Sequence, residues 1–396
     1  MITRFDSLFA GHVDMQDIGY AGTAVNDRWF SNEHLATAFD KAQAIAQTMD
    51  RLGFDTFWLA EHHFQREGYE CIPNIPMLIV HLAHLTRRLR LGCAFNVTPM
   101  WHPLRLAEDF AMADILTGGR AVFGVGRGYH TREVETFGAP LLDQQANREL
   151  FEEQVEVIFK AFNEESFSHH GKYYDIPAGV PYRGYDLETL TLVPRPLRRP
   201  VECWQPIQGG TARALDFMAT HGIKGTIGGG VAEGGAMDDV ILGYRDALVR
   251  AGREALPGED LNIGFQFYLA DNEEKALQEA AAYYEENTKI VGPLRLTRGL
   301  TDEQISAISD PARAPFDASL PSIRKAAKAG SFLCGPPELI ASKLMAVAER
   351  YPGLERVTVS LPIGTPQNVI LEQMEWFAKD VMPAFRAAPV QPSPIS

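Results

Sequence analysis

The sequence predicts an α/β protein folded as one (β/α)8 TIM barrel with insertions at its C-terminal face. Two observations carry that expectation. Short apolar runs alternate with amphipathic stretches about eight times along the 396 residues, and such alternation implies parallel strands joined by crossover helices. Eight units favour closure into a barrel over an open sheet. The length fits one domain, because α/β barrels routinely run long as one.

The elements follow in order. A first strand is placed near Arg4–Phe9. Leu35, Phe39, Ala42, Ile45, Ala46, Met49 and Leu52 recur at helical spacing, and Gly53 closes that helix. Thr56–Leu59 reads as a short strand, Ile75–Leu85 as a helix, Leu89–Val97 as one buried strand, and Leu104–Leu116 as a helix stopped by Gly118 and Gly119. Ala121–Val125 is the next strand and Arg148–Phe162 the next helix. The rhythm returns in Val201–Gln205 with Ala212–His221, in Ile223–Ile227 with Asp238–Ala251, in Ile263–Leu269 with Glu273–Glu286, and in Val357–Leu361 with Asn368–Val381.

Two stretches interrupt it. Residues 164–200 hold His169–His170, several aromatics and prolines, and residues 289–335 contain a helix start, Thr301-Asp302-Glu303-Gln304, of capping-box form. Loops this long in compact domains are often functional lids, so both are expected at the C-terminal mouth, the second as a lid. The single domain is taken as residues 1–386, and residues 387–396, with three prolines, as a disordered tail.

Charge and composition exclude several classes. The net charge is −14, and the densest basic runs, Arg87–Arg90 and Arg195–Arg199, are short. Binding a phosphate backbone needs clustered Lys and Arg, so no nucleic-acid partner is expected. No apolar run reaches the roughly 18 residues of a membrane span, and residues 1–17 lack the apolar segment of a signal peptide. Cys71, Cys93, Cys203 and Cys334 are scattered and form no CxxC pair, which argues against zinc ribbons and disulfide frameworks and suits a reducing cytoplasm.

Three clusters carry chemistry. In Gly53-Phe54-Asp55-Thr56-Phe57-Trp58-Leu59-Ala60-Glu61-His62-His63-Phe64 a strand ends in an acid and two imidazoles. Strand ends of a barrel converge on one mouth, and a histidine there can give or take a proton near neutrality; the alternative is a satisfied structural histidine. No metal site is expected, since His62 and His63 diverge in an extended segment and no His-Glu-x-x-His spacing exists. In Ala121-Val122-Phe123-Gly124-Val125-Gly126-Arg127-Gly128 a strand runs into a glycine turn with one arginine, which suits close backbone approach and a phosphate contact, or is a plain turn. The spacing is not G-x-G-x-x-G, so a Rossmann dinucleotide site is rejected. Gln208-Gly209-Gly210-Thr211 opens a helix and would cradle a phosphate, or simply cap that helix. No Walker A sequence and no G-x-S-x-G elbow is present, so phosphoryl transfer and serine hydrolysis lack support.

Taken together, Gly53–Phe64, His102-Pro103-Leu104-Arg105-Leu106-Ala107-Glu108-Asp109, Leu116-Thr117-Gly118-Gly119-Arg120, Phe123–Gly128, Thr136-Phe137-Gly138 and Asp380-Val381-Met382-Pro383 resemble the bacterial luciferase-like flavin-dependent monooxygenases. The resemblance is dense over residues 52–140. It implies a barrel binding reduced FMN at its mouth, with O2 and a small organic substrate as co-reactants and a flavin peroxide as oxygenating species. It also implies a separate NAD(P)H:flavin reductase and a homodimer built on Ile75–Leu85 and Leu104–Leu116. His62 matches the family's catalytic histidine and Arg127 its phosphate-binding arginine. Gly210 and Thr211, beside Gly209, fall where luciferase binds phosphate through an acid and a serine, so backbone N–H groups would do that work here. Ala94–Phe95, next to Asn96, falls at the family's non-proline cis peptide under the flavin ring, and Phe95 is bulkier than the family's alanine. Gly126 replaces a reactive cysteine. Trp101, Phe95, Trp204 and Tyr129 point to an apolar or aromatic substrate. Two other readings share the barrel: an F420-dependent oxidoreductase, and a non-catalytic partner subunit.

Overall fold

The computed structural model describes residues 1–228, 237–294, 296, 300–309 and 320–386. The tail at 387–396 and part of the 289–335 segment therefore lie outside the described residues. Eight parallel strands, β1 (Arg4–Phe9), β2 (Thr56–Leu59), β3 (Arg90–Cys93), β4 (Ala121–Gly126), β5 (Cys203–Pro206), β6 (Lys224–Ile227), β7 (Leu261–Leu269) and β8 (Arg356–Ser360), form a closed barrel. Closure is shown by Arg4 opposite Arg356 and by Cys203 opposite Phe123. Eight helices cover it: α1 (Asn32–Leu52), α2 (Ile75–Leu85), α3 (Pro103–Leu116), α4 (Gln144–Asn163), α5 (Ala212–His221), α6 (Asp238–Arg250), α7 (Pro337–Arg350) and α8 (Gln367–Asp380).

Local chemistry sets the element ends. Ser31 accepts from the His34 N–H to start α1, and Gly53, at φ 83°, ends it in a conformation that only glycine adopts at little cost. Asp143 caps Gln145 and Ala146, so α4 begins four residues before the predicted Arg148. Leu89–Val97 is not one strand. It breaks after Cys93 at a cis Ala94–Phe95 peptide and resumes for Asn96–Val97. Thr301 and Gln304 make the expected reciprocal capping bonds, 3.0 and 3.1 Å, before helix Asp302–Ser309.

Strand alternation sorts the core into two layers. Phe5 and Phe9 of β1 face the helices, where Phe5 meets Phe377 and Phe385 edge-on. Asp6 and Leu8 face the barrel axis. Asp6 is fully buried and accepts from Trp58 Nε1 at 2.8 Å, Asn262 Nδ2 at 3.1 Å and Arg356 Nη1 at 2.7 Å. These side chains plug the lower half of the barrel. One layer higher the axis is open: Leu8, on an inner strand face, is 41% exposed. A leucine in that position is wetted only if the barrel's upper end is a well.

Two corrections concern what surrounds that well. Residues 164–200 do not lie after a strand. They join the end of α4 to β5, so they leave and rejoin the barrel at its N-terminal face. They then climb the outer flank of α4: Glu153 accepts from the Tyr173 and Tyr174 N–H groups, and Gln154 Nε2 donates to the Tyr174 hydroxyl and to Trp101 O, both at 2.8 Å. Only the tip of this insertion reaches the rim. Second, Glu273–Glu286 is not the seventh barrel helix. It belongs to a longer helix, Glu273–Val291, which begins an excursion from the C-terminal end of β7. A short strand, Phe332–Gly335, then pairs with the last four residues of β7, and α7 makes the return crossing. This second insertion does sit at the C-terminal face, as expected.

Candidate active site

All the predicted site residues follow strand C-termini and so share one mouth: His62 after β2, Ala94, Phe95 and Asn96 after β3, Arg127 after β4, and Gly209, Gly210 and Thr211 after β5. The structure sorts them into three groups.

The first is the well floor. Phe95 lies with Trp58, Ala94, Val122 and Trp204 in one aromatic cluster. Its bulk is accommodated by two inward-facing glycines of β4. A Cβ on Gly124 would stand 1.9 Å from Cys93 O and 2.9 Å from the Phe95 ring, and one on Gly126 would stand 3.2 Å from Phe95 Cβ. Phe95 and the absence of a side chain at position 126 are thus one arrangement. Gly126→Cys is expected to cost about 1–3 kcal/mol by overpacking, read as a lower midpoint in urea unfolding. In a Phe95→Gly background, which removes the Cβ that a side chain at 126 would meet, most of that cost should vanish, and equal costs in the two backgrounds would break the link. Asn96 is not on the well surface: it is fully buried, and its Nδ2 donates to Gly124 O at 2.9 Å. It ties the cis-peptide loop to β4.

The second group surrounds His62, which is only 4% exposed. Its Nδ1 lies 3.3 Å from Glu133 Oε2, and its Nε2 lies 2.9 Å from the Tyr129 hydroxyl and 3.3 Å from Glu70 Oε1. The Tyr129 hydroxyl also reaches Glu70 Oε1 at 3.1 Å, and His130 Nε2 reaches Glu70 Oε2 at 2.9 Å. Burial works against a charged His62, but Glu70, Glu133 and Glu61 outweigh it and hold its pKa above 6.5. Burial likewise opposes charge on Glu70 and Glu133, yet His62 and His130 keep both carboxyls below the usual range. The Tyr129 phenol, buried beside Glu70, is pushed well above 10. His62 is thus a buried imidazole whose carboxylate neighbours raise its pKa. The ligand atoms of His62, Glu70 and His130 lie within 4.8 Å of one another, but all of them are engaged in the hydrogen bonds above, and the set acts as a hydrogen-bonded cluster. His63 points elsewhere, to Glu61 Oε1 at 3.1 Å and edge-on to Phe137. Glu61 is a structural anchor, accepting from Val97 N at 2.7 Å and Trp101 Nε1 at 2.8 Å.

The third group is cationic. Arg127 donates to Asn147 Oδ1 at 2.7 Å and Gln144 O at 3.0 Å in the first turn of α4. Burial and the adjacent Arg148 cation both press its pKa down. Arg148 is half-buried, and its guanidinium has no carboxylate or carbonyl partner among the described residues. Arg213, in the first turn of α5, pairs with Glu152 at 2.5 Å, which also faces Arg127. Thr211 caps α5 without a side-chain cap bond, and Gly210 holds φ 59° just before it. Clustered guanidiniums and a helix N-terminus of this kind have the chemistry that suits an anion.

Sequence reasoning missed Glu70, Glu133, His130 and Arg148. Tyr129 was in view as an aromatic facing the substrate, not as a partner of His62, and Glu70 sits in a loop with no periodicity to mark it. Arg148 was hidden in a helix pattern.

A (β/α)8 barrel with this mouth has relatives. Residues 17–352 match the luciferase-like monooxygenase family, and the chain belongs to that family. It is 30% identical over 162 residues to the oxygenase component of the flavin-dependent trigonelline monooxygenase of Acinetobacter baylyi, covering 41% of each chain. Its fold matches that of the oxygenating constituent of 3,6-diketocamphane monooxygenase from Pseudomonas putida, solved with FMN, at TM-score 0.70, 19% identity and coverage of 97% and 99% of the two chains. It also matches an F420-dependent secondary alcohol dehydrogenase at TM-score 0.66, 14% identity and coverage of 98% and 100%. The aligned stretches span 40–44% of the length of the curated relatives. Among the described residues no helix is long and apolar enough to cross a membrane.

Proposed function

We propose that this chain is the oxygenase component of a two-component monooxygenase that uses reduced FMN and O2 to oxygenate a small apolar or aromatic molecule. The observation that carries the reading is the joint placement of the Arg127–Arg148 pair and the open α5 N-terminus beside an apolar well floored by Phe95. Arg127, Arg148 and the N–H groups after Gly210 would hold the FMN phosphate, with the Thr211 hydroxyl as a further donor. The Ala94–Phe95 segment would lie under the ring. Bound there, reduced flavin would supply the activation of O2. The protein's own part is to orient the substrate against the apolar floor, keep bulk water out, and hold a proton at His62. The reductase is taken as a separate chain, in keeping with the lack of a Rossmann fingerprint and with the trigonelline relative's description as an oxygenase component. A homodimer through α2 and α3 is supported by the exposed Met77, Met112 and Leu116 on those helices. A cytoplasmic setting accords with the scattered free cysteines.

The F420 reading is kept because an F420-dependent dehydrogenase shares the fold. Titrating the protein with reduced FMN and with reduced F420 under anaerobic conditions separates the two, and tight binding of F420 alone would reject our reading. Single-turnover oxygenation by the isolated chain separates a catalytic subunit from a silent one. Arg127→Ala should weaken reduced FMN about ten- to a hundredfold, since a charge-assisted contact is worth about 1.5–3 kcal/mol. An unchanged Kd would take Arg127 out of the site.

A further inference from the structure

The His62 cluster has more carboxylates than cations, and its protons can be counted. Glu61, Glu70 and Glu133 are all buried. The one arginine facing them, Arg132, is already paired with Glu67 at 2.8 Å. An ionised carboxylate only accepts hydrogen bonds. The contact between His62 Nδ1 and Glu133 Oε2 therefore requires a proton on Nδ1. Tyr129 has a single hydroxyl proton, and its oxygen lies between Glu70 Oε1 at 3.1 Å and His62 Nε2 at 2.9 Å. If that proton goes to Nε2, the Tyr129 oxygen and the Glu70 carboxylate face each other with lone pairs and nothing between them. If it goes to Glu70, the Tyr129 oxygen can only accept, and Nε2 must carry a proton too. With Glu70 ionised, since His62 and His130 hold its carboxyl below the usual range, every contact is satisfied in the second arrangement alone. Glu70 is itself braced by His130 Nε2 at 2.9 Å. Of this group only Tyr129 keeps some exposure; His62, Glu70, His130 and Glu133 are buried.

We infer that Glu70, acting through the Tyr129 hydroxyl, positions His62 with both ring nitrogens protonated, so that His62 serves as a proton donor whose outlet to the mouth is Tyr129. In the transfer, Tyr129 gives its hydroxyl proton to a basic oxygen of the bound ligand and takes the Nε2 proton of His62. His62 is left neutral, keeping its Nδ1 proton and donating it in a hydrogen bond to Glu133, and no electrons move. Glu70 and Tyr129 are positioning residues in this scheme. Only its use in oxygenation rests on the function proposed above; the protonation state does not.

The test is nitrogen-15 NMR of the histidine rings in the full-length, ligand-free protein across pH, with His62→Gln assigning the signal. Wild-type His62 should show two protonated nitrogens at pH 7 and a midpoint above 6.5. Glu70→Gln should lower that midpoint by about one to three pH units, the usual effect of losing an adjacent opposite charge. Glu67→Gln, a neighbouring buried carboxylate paired to Arg132, should leave it in place. A neutral His62 at pH 7 in the wild type overturns the inference even if Glu70→Gln fails to fold. So does an unmoved midpoint in Glu70→Gln, or an equal shift in Glu67→Gln. With reduced FMN and O2, Tyr129→Phe should lower product yield at least about tenfold, and wild-type yield would overturn the outlet. If the wild type performs no flavin chemistry at all, the proposed function falls, and the ring titration still decides the protonation state.

Discussion

His62→Gln is expected to bind reduced FMN with near wild-type affinity and to slow oxygenation by about 10²–10⁴-fold, the usual worth of a positioned proton-transfer group. Arg127 and Arg148, proposed to hold the phosphate, follow β4 and lie on α4, and His62 touches neither, so affinity and chemistry should separate. Stopped-flow absorbance of reduced flavin mixed with O2, alongside product yield and H2O2 release, reads both. The dependence on pH has a definite sign. The donor form of His62 is lost as pH rises through a midpoint above 6.5, so product yield should fall on the alkaline side, and the Gln variant should lack that limb. His63→Gln is the internal control. Its ring bonds Glu61 and packs on Phe137, away from Glu70 and Glu133, and its loss should leave coupling intact. Wild-type coupling in His62→Gln with loss in His63→Gln would mean the wrong histidine has been assigned.

Glu286→Ala is expected to cost about 3–5 kcal/mol of stability, because it strands buried cations. Glu286, on the rim helix Glu273–Val291, is fully buried. It accepts from Arg28 Nε at 3.0 Å, the Tyr69 hydroxyl at 2.5 Å, Gly19 N at 2.9 Å and Lys289 Nζ at 2.7 Å. Arg28 and Lys289 spend further donors on the carbonyls of Gln16, Asp17, Gly19 and Thr23. One carboxylate thus locks the loop after β1 onto the rim helix. Global stabilities run to about 5–15 kcal/mol, so the loss would be a large fraction of the whole. Urea unfolding followed by circular dichroism measures it. A loss under about 1 kcal/mol would show that the cluster relaxes into solvent and does not brace the mouth.

The barrel was legible because its strands and helices are written in two periods that hydrophobicity alone reveals. Leu35 to Leu52 repeats at the helical period, and Gly53 closes it with the φ it needs. Thr56–Leu59 was read to the residue, since a fully buried strand is a plain apolar run between polar stops. Errors arose where that signal is shared. Glu273–Glu286 has the pattern of a barrel helix, but periodicity cannot say whether an apolar face lies on a barrel or on its rim. The true seventh helix opens at Pro337, just after Pro336, and was passed over. Residues 164–200 were placed by their length, whereas a loop's face of the barrel depends on which element it follows.

The candidate site divides the same way. Arg127, the Gly209–Thr211 turn and His62 could be placed at one mouth from sequence, because a strand's end is visible there and barrel geometry brings all strand ends together. That is connectivity, a property of the chain alone. What surrounds those residues was decided only by the tertiary structure. Glu70 and Glu133 meet His62 from segments 8 and 71 positions away, and Arg148 joins Arg127 from 21 positions on. Long-range pairs of charged side chains leave no periodic trace, and the protonation of a buried imidazole depends on the sum of such neighbours. The candidate histidine could therefore be located from its motif, whereas its protonation is set by the carboxylates that folding packs around it.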